Sequence, residues 1–218
     1  MKTVANGMRA MLAAALLVST LFGSASAWDV PKKKAELVAD ETVQDVTWED
    51  SADLDMLRRV RSDIKSAQND KKIKTLRITL LSPGGPVITS LEIARLVRKA
   101  SDSGLIMEFH AVGLCASGCT FILAAGTPGK RFITHETLYL VHSLQSGGGF
   151  GRTCGAYTPE PKTEDEKVIN ALLDMMRDMY MKFSGKDKAT VEKWLTCGEE
   201  QAGGGELAVK LGLADKVE

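Results

Sequence analysis

The sequence predicts one α/β domain with a largely parallel sheet flanked by helices. Helical and extended patterns alternate through the centre of the chain, as they do in β-α-β units. The alternating apolar residues Leu76, Ile78 and Leu80 indicate a strand, which runs into a hard Pro- and Gly-rich turn at residues 82–86. With 218 residues, 44% of them hydrophobic, the chain is long enough for one substantial core and too short for two.

The elements follow in order from residue 51. Ser51 is the expected N-cap of the first helix. The apolar face of that helix carries residues at helical spacing, namely Leu54, Leu57, Val60, Ile64 and Ala67. Further helices are expected near residues 91–103, 121–125, 164–183, 190–195 and 206–211, and further strands near 106–112, 132–133 and 138–141. Residues 143–163 are rich in Gly, Ser, Thr and Pro, which predicts a long loop.

Residues 1–27 have the pattern of a secretory signal peptide. Two basic residues are followed by an apolar, uncharged run at 11–23 and by small residues at 25–27, directly before Trp28. The apolar run is shorter than the ~20 residues of a membrane-spanning helix, which favours cleavage over an uncleaved anchor. We therefore expect residues 28–218 to form the mature domain, in the periplasm or outside the cell.

Composition and cysteine content limit the partners and cofactors. The formal net charge is zero, so nothing points to a nucleic-acid partner. An exported chain meets an oxidising compartment, where an even number of cysteines favours disulfides, with three pairings open. Zinc is the rival interpretation, but only one pair has half-site spacing and no His lies at ligand spacing from the other two cysteines. We expect no metal and no cofactor. The four cysteines are Cys115, Cys119, Cys154 and Cys197.

A candidate nucleophile lies in the small-residue corner at 113–120. A strand is expected to run directly into a helix here, so Ser117 would be exposed at the carboxyl edge of the sheet, beside the free N–H groups of the first helical turn. A nucleophilic serine needs both access and donors for a developing oxyanion. Small residues also occur at such corners for packing alone, and this signal by itself does not separate the two.

The candidate base is one of three histidines. His142 directly follows a predicted strand and would lie at the same sheet edge as Ser117. His110 lies within a strand and is expected to be structural, whereas His135 lies in a polar turn and is expected to be solvated. The residues therefore favour a Ser117–His142 pair.

Four ordered motifs resemble the proteolytic subunit of the Clp protease family, in the ClpP/crotonase superfamily. They are Leu81-Ser82-Pro83-Gly84-Gly85, Cys115-Ala116-Ser117-Gly118, residues 124–132 and Leu140-Val141-His142. The interval from Ser117 to His142 matches the family's interval between nucleophile and base. Residues 206–215 resemble the family's closing helix and strand, and the signal peptide and flanking cysteines resemble an exported branch. The resemblance implies a ClpP/crotonase-like fold for the mature domain.

The resemblance also assigns roles. Ser117 would be the nucleophile and His142 the general base. The N–H groups of Gly85 and Gly118 would form the oxyanion hole, each worth about 10²–10³ in rate. The substrate would be a peptide or an unfolded polypeptide. The resemblance also allows a homo-oligomer. Because exported compartments lack ATP, no ATPase partner is expected.

Two features depart from the family's pattern. The position of the acidic third member of the triad falls on Trp194, Leu195 or Thr196, and none of these is acidic. Thr196, Glu199 or a backbone carbonyl could hold His142 instead, although loss of the acid can lower turnover by about 10⁴. The loop at 146–163 is also longer than the family's and contains a cysteine.

Two functions follow from this comparison. The first is an ATP-independent serine peptidase of the periplasm, with a Ser–His dyad and a backbone oxyanion hole. The alternative is a catalytically impaired ClpP-like protein that binds peptides, or serves as a scaffold, by strand addition. The low turnover expected without the acid leaves both open.

The cysteines are predicted to pair in order. Cys115 and Cys119 are four residues apart at a helix start, which can meet the ~7 Å limit on the Cα separation of a disulfide. Cys154 and Cys197 would form the second bridge, which would tie the long loop to the segment in which the family keeps its acid.

Overall fold

The computed structural model describes residues 40–146 and 153–218. The predicted signal peptide, the segment that follows it to residue 39 and the Gly-rich residues 147–152 lie outside the described residues. In the described ranges no helix is both long and apolar enough to cross a membrane. The elements are β1 (Val43–Glu49), α1 (Leu54–Asn69), β2 (Thr75–Ser82), α2 (Val87–Asp102), β3 (Ile106–Ala116), α3 (Gly118–Ala124), β4 (Arg131–Ile133), β5 (Leu138–Val141), β6 (Gln145–Ser146), β7 (Thr153–Cys154), α4 (Glu164–Ser184), α5 (Lys188–Trp194), β8 (Gln201–Gly203), α6 (Gly205–Leu211) and β9 (Lys216–Val217).

The main sheet is largely parallel. Its strands run in the order β1-β2-β3-β4-β9, and each neighbouring pair in this order is parallel. The long strand β3 pairs with two partners in succession, because residues 109–111 face β4 and residues 114–116 face β5. Gly113 lies between the two stretches with φ +65°, a conformation that a glycine adopts without strain. Only β8 runs antiparallel, along β5. The predicted α/β fold with a mostly parallel sheet is confirmed.

Helices cover one face of this sheet. On β2 the side chains of Leu76, Ile78 and Leu80 are fully buried, whereas the intervening positions are partly or fully exposed. Farther from the sheet, Tyr180 of α4 packs on Phe121 of α3, with ring centroids 4.4 Å apart. The sheet therefore presents a core face to the helices and a second, open face that the described residues do not cover. Helix α4 packs on the outer side of α3.

Three local predictions differ from the structure. The N-cap of α1 is Asp53, whose carboxylate accepts the N–H groups of Asp55 and Met56, while the hydroxyl of Ser51 donates to Gly84. The predicted loop at 143–163 includes a small antiparallel pair, β6 with β7. Strand β8 was not predicted, because three residues that include a glycine carry no alternating pattern.

Candidate active site

Ser117 occupies a sharp corner between β3 and α3. Its backbone has φ +55° and ψ −124°, a conformation that costs a non-glycine residue about 1–3 kcal/mol. The N–H of Ser117 donates to the carbonyl of Leu140 at 2.8 Å, and its carbonyl accepts from the hydroxyl of Thr120 at 2.6 Å. The corner is thus held from both sides, and the half-buried Ser117 side chain is presented at the end of the strand.

A disulfide encloses this corner. Cys115 and Cys119 are bridged, with Cα atoms 5.3 Å apart, and both residues are fully buried. The ring that the bridge closes contains Ser117 and Gly118, so it restricts the backbone of the candidate nucleophile. Cys154 and Cys197 form a second bridge, with Cα atoms 6.0 Å apart. This is the pairing predicted from the sequence.

Two backbone N–H groups lie beside Ser117. A Cβ atom added to Gly84, whose φ is +88°, would lie 2.6 Å from the nitrogen of Gly118 and 2.7 Å from Cβ of Ser117. A Cβ added to Gly118 would lie 3.3 Å from the nitrogen of Gly85. The glycine turn and the serine corner therefore touch through backbone atoms, which only residues without side chains allow.

Both of these N–H groups are available to a ligand. Within residues 40–146 and 153–218, neither the N–H of Gly85 nor that of Gly118 has a hydrogen-bond acceptor in the protein. Two neighbouring donors without protein partners, beside an exposed hydroxyl, can bind one oxygen that gains negative charge.

His142 is the first residue after β5, and its side chain is half-buried. Its Nδ1 lies 2.5 Å from the backbone carbonyl oxygen of Ser143. Because a carbonyl only accepts, Nδ1 must carry the proton, which leaves the lone pair of neutral His142 on Nε2. This is the tautomer that a general base for serine requires.

Ser117 and His142 line one cleft of about 390 Å³, together with Gly85 and Gly118. No hydrogen bond joins Ser117 to His142 in the described part of the chain, and such bonds often form only when substrate binds. The rest of the cleft is mainly apolar. These apolar residues come from α2, α3, α4 and the segment after His142, namely Ile88, Phe121, Leu144, Leu172 and Met176.

The residues expected to replace the triad acid form no hydrogen bond with His142 among the described contacts. The hydroxyl of Thr196 donates to the carbonyl of Glu192 at 2.9 Å, and Glu199 is exposed, with no bond to His142 among the described contacts. Trp194 is 4% exposed and meets the ring of Tyr180 edge-on. Of the three acceptors considered from the sequence, the structure has a backbone carbonyl. No sequence pattern singles out Ser143 for this, because every residue carries a carbonyl group.

A buried hydroxyl pair supports the serine corner. Thr120 donates to the carbonyl of Ser117, so it must accept from the hydroxyl of Tyr180, which lies 2.7 Å away. Burial raises the pKa of the Tyr180 hydroxyl well above its ordinary value, which keeps the hydroxyl protonated as a donor. Sequence analysis missed this contact, because Tyr180 resembles any other residue on the apolar side of α4.

The other histidines lie away from the cleft. On β3, His110 contacts Glu218 at 2.6 Å and Glu108 at 3.3 Å, as expected for a structural side chain. His135 is exposed and contacts Glu206. In residues 40–146 and 153–218 no group of three or more His, Cys, Asp or Glu side chains could hold a metal ion, and the cysteine sulfurs are bonded to one another.

Comparison with known proteins agrees with this geometry. Residues 38–218 match the family model for Clp protease. The chain is 27% identical over 128 residues to the ATP-dependent Clp protease proteolytic subunit 2 of Bifidobacterium longum, an alignment that covers 57% of this chain and 59% of that protein.

Other relatives are similarly distant. An ATP-dependent Clp protease proteolytic subunit of Mesostigma viride is 27% identical over 112 residues, covering 51% of this chain and 44% of that protein. A proteolytic subunit 2 of Prochlorococcus marinus is 29% identical over 150 residues, covering 68% of each chain. The alignments with the first two relatives span less than two thirds of their length. With its family model matched over most of its length, the chain belongs to the Clp protease family.

Proposed function

We propose that this protein is a serine peptidase of the periplasm that works without an ATPase, with Ser117 as nucleophile and His142 as general base. One observation carries the proposal. One cleft is lined by a strained serine, by two backbone N–H groups that have no acceptor among the described residues, and by a histidine whose lone pair is on Nε2. The names of the relatives, which describe proteolytic subunits, support hydrolysis of peptide bonds.

The chemistry follows from these positions. The hydroxyl oxygen of Ser117 attacks the peptide carbonyl carbon while its proton passes to Nε2 of His142. The carbonyl oxygen becomes an oxyanion that accepts from the N–H groups of Gly85 and Gly118. The imidazolium then protonates the leaving amine, and water releases the acyl group by the reverse sequence.

The neutral partner of His142 sets the expected rate. A carbonyl dipole fixes the tautomer, but it stabilises the imidazolium less than a carboxylate would, because a full negative charge attracts the imidazolium more strongly than a neutral dipole does. Loss of the triad acid costs about 10⁴ where the wrong tautomer results. Here the tautomer is the productive one, so we expect slow hydrolysis, with a loss smaller than that.

The cleft indicates the substrate. Its apolar wall would accept an apolar side chain next to the scissile bond. Such side chains are exposed in short peptides and unfolded chains. Such substrates do not have to be unfolded by an ATPase, which is consistent with the proposed ATP-independent activity.

Two further features support export. Residues 1–27 have the pattern of a signal peptide, and all four cysteines are bonded in pairs. Disulfides of this kind persist in oxidising compartments and are rare in the reducing cytosol. We propose that the mature protein begins near Trp28 and acts in the periplasm, which N-terminal sequencing of the exported protein would test.

Self-association is a further part of the proposal. Leu81 is 39% exposed and Leu138 is 53% exposed, on strands β2 and β5. Both point to the open face of the sheet, since the neighbouring residues of each strand are buried. We propose that a second copy of this chain covers these leucines. Light scattering should then give an oligomer for the wild type and a lower mass for Leu138→Lys.

The decisive experiment is covalent labelling by a fluorophosphonate probe. Wild-type protein should be labelled, and Ser117→Ala should not be. His142→Ala should react more slowly by about 10²-fold or more. His110→Ala is the matched control, because His110 lies on the same sheet but away from the cleft, and its labelling rate should stay near the wild-type value. Labelling that survives Ser117→Ala would contradict the assignment.

A catalytically impaired peptide-binding protein is the second candidate. The neutral partner of His142 and the missing Ser117–His142 bond favour it. In that case the folded wild type would resist the probe and still bind unfolded peptides with apolar side chains, as measured by fluorescence anisotropy.

A further inference from the structure

We propose that the Cys154–Cys197 disulfide positions the general base, by holding the segment whose carbonyl orients His142. The inference rests on the proposed function, because it concerns the same site. It assigns a role in catalysis to a bridge whose cysteines lie outside the cleft, and it makes the activity sensitive to reduction.

The residues after His142 are bonded to the residues around Cys154. The buried hydroxyl of Ser143 donates to the carbonyl of Gly155 at 2.8 Å, and the N–H of Gly155 donates to the carbonyl of Leu144 at 2.7 Å. Gln145 pairs with Cys154 across β6 and β7. The carbonyl that His142 uses therefore belongs to a segment that is paired, residue by residue, with the disulfide-bonded one.

The approach of the two segments is close. A Cβ atom on Gly155 would lie 3.1 Å from Cβ of Leu144, tighter than most side-chain contacts. A small displacement of residues 153–155 would therefore shift residues 143–145, and with them the carbonyl oxygen of Ser143. A hydrogen bond weakens steeply as its angle departs from linearity.

Besides their pairing with residues 143–145, residues 154 and 155 are anchored to the domain through the side chain of Cys154. Cys154 is bonded to Cys197, three residues after the end of α5, and Trp194 of α5 packs against Tyr180 in the core. The next side-chain tie along the chain is at Thr158, which exchanges two hydrogen bonds with Asn170 of α4. Among the contacts of residues 154–158, the disulfide lies nearest to the paired residues 143–145. Its loss would loosen residues 154 and 155, whereas the Thr158–Asn170 bonds would still hold the chain from residue 158 onward.

The two disulfides differ in their exposure to solvent, and therefore to a reducing agent. Cys115 and Cys119 are fully buried, whereas Cys154 and Cys197 are partly exposed. A small dithiol such as dithiothreitol would reach the second bridge first. One thiolate of the reagent attacks a sulfur of the bridge and releases the other cysteine as a thiolate, which leaves a mixed disulfide. The reagent's second thiolate then attacks the reagent's own sulfur in this mixed disulfide and releases the remaining cysteine. The protein gains two thiols, and the reagent leaves as its oxidised, cyclic disulfide.

The consequence concerns the tautomer of His142. When the Ser143 carbonyl moves away, Nδ1 loses its acceptor and the proton can lie on either nitrogen. The fraction of molecules with Nε2 free to accept the Ser117 proton then falls. A carboxylate would tolerate such movement better, because its charge acts over a longer distance than a carbonyl dipole.

The test compares the fluorophosphonate labelling rates of oxidised wild type, dithiothreitol-treated wild type and the double variant Cys154→Ser with Cys197→Ser. Alkylation and mass spectrometry verify that only this bridge has opened, and circular dichroism verifies that the fold remains. We expect both altered forms to react about 10-fold more slowly, part of the ~10²–10⁴ that a positioned base contributes. If the double variant does not fold, the dithiothreitol-treated wild type alone tests the effect of opening the bridge.

His142→Ala provides the control for a purely structural effect. If the bridge acts through His142, opening it should not slow the residual labelling of this variant further. Nitrogen NMR of His142 gives a second readout, which should show Nδ1 protonated in oxidised protein and mixed tautomers after reduction. An unchanged tautomer and an unchanged labelling rate with the bridge open would overturn the inference. Oxidised protein that is never labelled, with a tautomer that still responds to reduction, would instead count against the proposed peptidase.

Discussion

The carbonyl oxygen of Ser143 lies 2.5 Å from Nδ1 of His142, where a full triad would have a carboxylate. The two residues are adjacent in sequence, so the partner of the base is its own neighbour. A peptide carbonyl can fix the tautomer, but its dipole stabilises the imidazolium less than a charge. If His142 acts as the proposed base, this carbonyl would support hydrolysis at a lower rate than a carboxylate would.

Acidic substitutions at the end of α5 and just after it, at Trp194 and Thr196, should not give a fast enzyme. Trp194 is 4% exposed and packs on Tyr180, so Trp194→Asp would leave a cavity and bury a carboxylate, which should cost about 3–5 kcal/mol. Thr196→Asp is the matched control, because Thr196 is exposed and the change should lie within about 0.5 kcal/mol. Urea unfolding and probe labelling measure both variants. Faster labelling of either would show that a carboxylate on this segment reaches His142.

The strained backbone of Ser117 predicts that a glycine at this position makes the fold more stable while it removes the nucleophile. At φ +55° a glycine is relaxed, whereas alanine retains the Cβ strain, so Ser117→Gly should be about 1 kcal/mol more stable than Ser117→Ala. Neither variant should react with the probe. Thermal unfolding of the two variants checks this difference, and equal stabilities would mean that the corner carries no backbone strain.

Because of the hydrogen bonds of the Thr120–Tyr180 pair, Thr120→Val should lower the free energy of unfolding more than Tyr180→Phe does. Tyr180→Phe removes one donor and leaves the Thr120–Ser117 bond intact, which should cost about 1 kcal/mol. Thr120→Val leaves the buried Tyr180 hydroxyl without its partner and removes the hydroxyl bond to the Ser117 carbonyl, which still accepts the N–H of residue 120, so it should cost about 2 kcal/mol. Denaturant unfolding should give this order, with slower labelling in Thr120→Val. The reverse order would indicate that Tyr180 is not held by Thr120.

The parts of the site that could be predicted lie at the ends of predicted strands. Ser117, His142 and the glycine turn at 84–85 each follow an apolar strand, and parallel strands bring such ends to one edge. Helix signals were also local, as at α4, where Thr163 and Glu166 form a capping box. Features of this kind depend on residues that are close in sequence, so they can be predicted without knowledge of the fold.

The parts that could not be predicted depend on contacts between distant segments. Thr120 and Tyr180 are 60 residues apart, and no periodicity links their hydroxyls. The pairing of Ser143 with Gly155 depends on a turn whose middle residues carry no pattern of their own. Trp194, one of the positions on which the family's acid falls, belongs to the core. Its burial depends on the packing of α5 against α4, which the sequence does not show.

The last prediction concerns acid stability and the carboxylate of Glu108 on the open face of the sheet. Its side chain is 8% exposed and accepts from Arg77 at 2.6 Å, Lys130 at 3.0 Å and His110 at 3.3 Å. Burial alone would raise the pKa of Glu108, but these donors outweigh it and lower the pKa from 4.5 to about 2. The charged form is therefore favoured in the folded protein.

The sign of the pH effect follows from this lowered pKa. A carboxyl with a lower pKa in the folded state stabilises the fold above about pH 4.5, and the contribution is lost as the pH falls towards 2. Since Arg77 and Lys130 are more than 40% exposed, solvent screening reduces the contribution to about 2 kcal/mol. Glu108→Gln should thus be less stable than wild type at pH 7, and the gap should close between pH 5 and pH 2. Glu199→Gln, at an exposed carboxylate without an ion pair in the described ranges, should leave stability within about 0.5 kcal/mol at every pH. A gap between wild type and Glu108→Gln that stayed constant over this range in urea unfolding would mean that Glu108 stabilises the fold by packing and not by its charge.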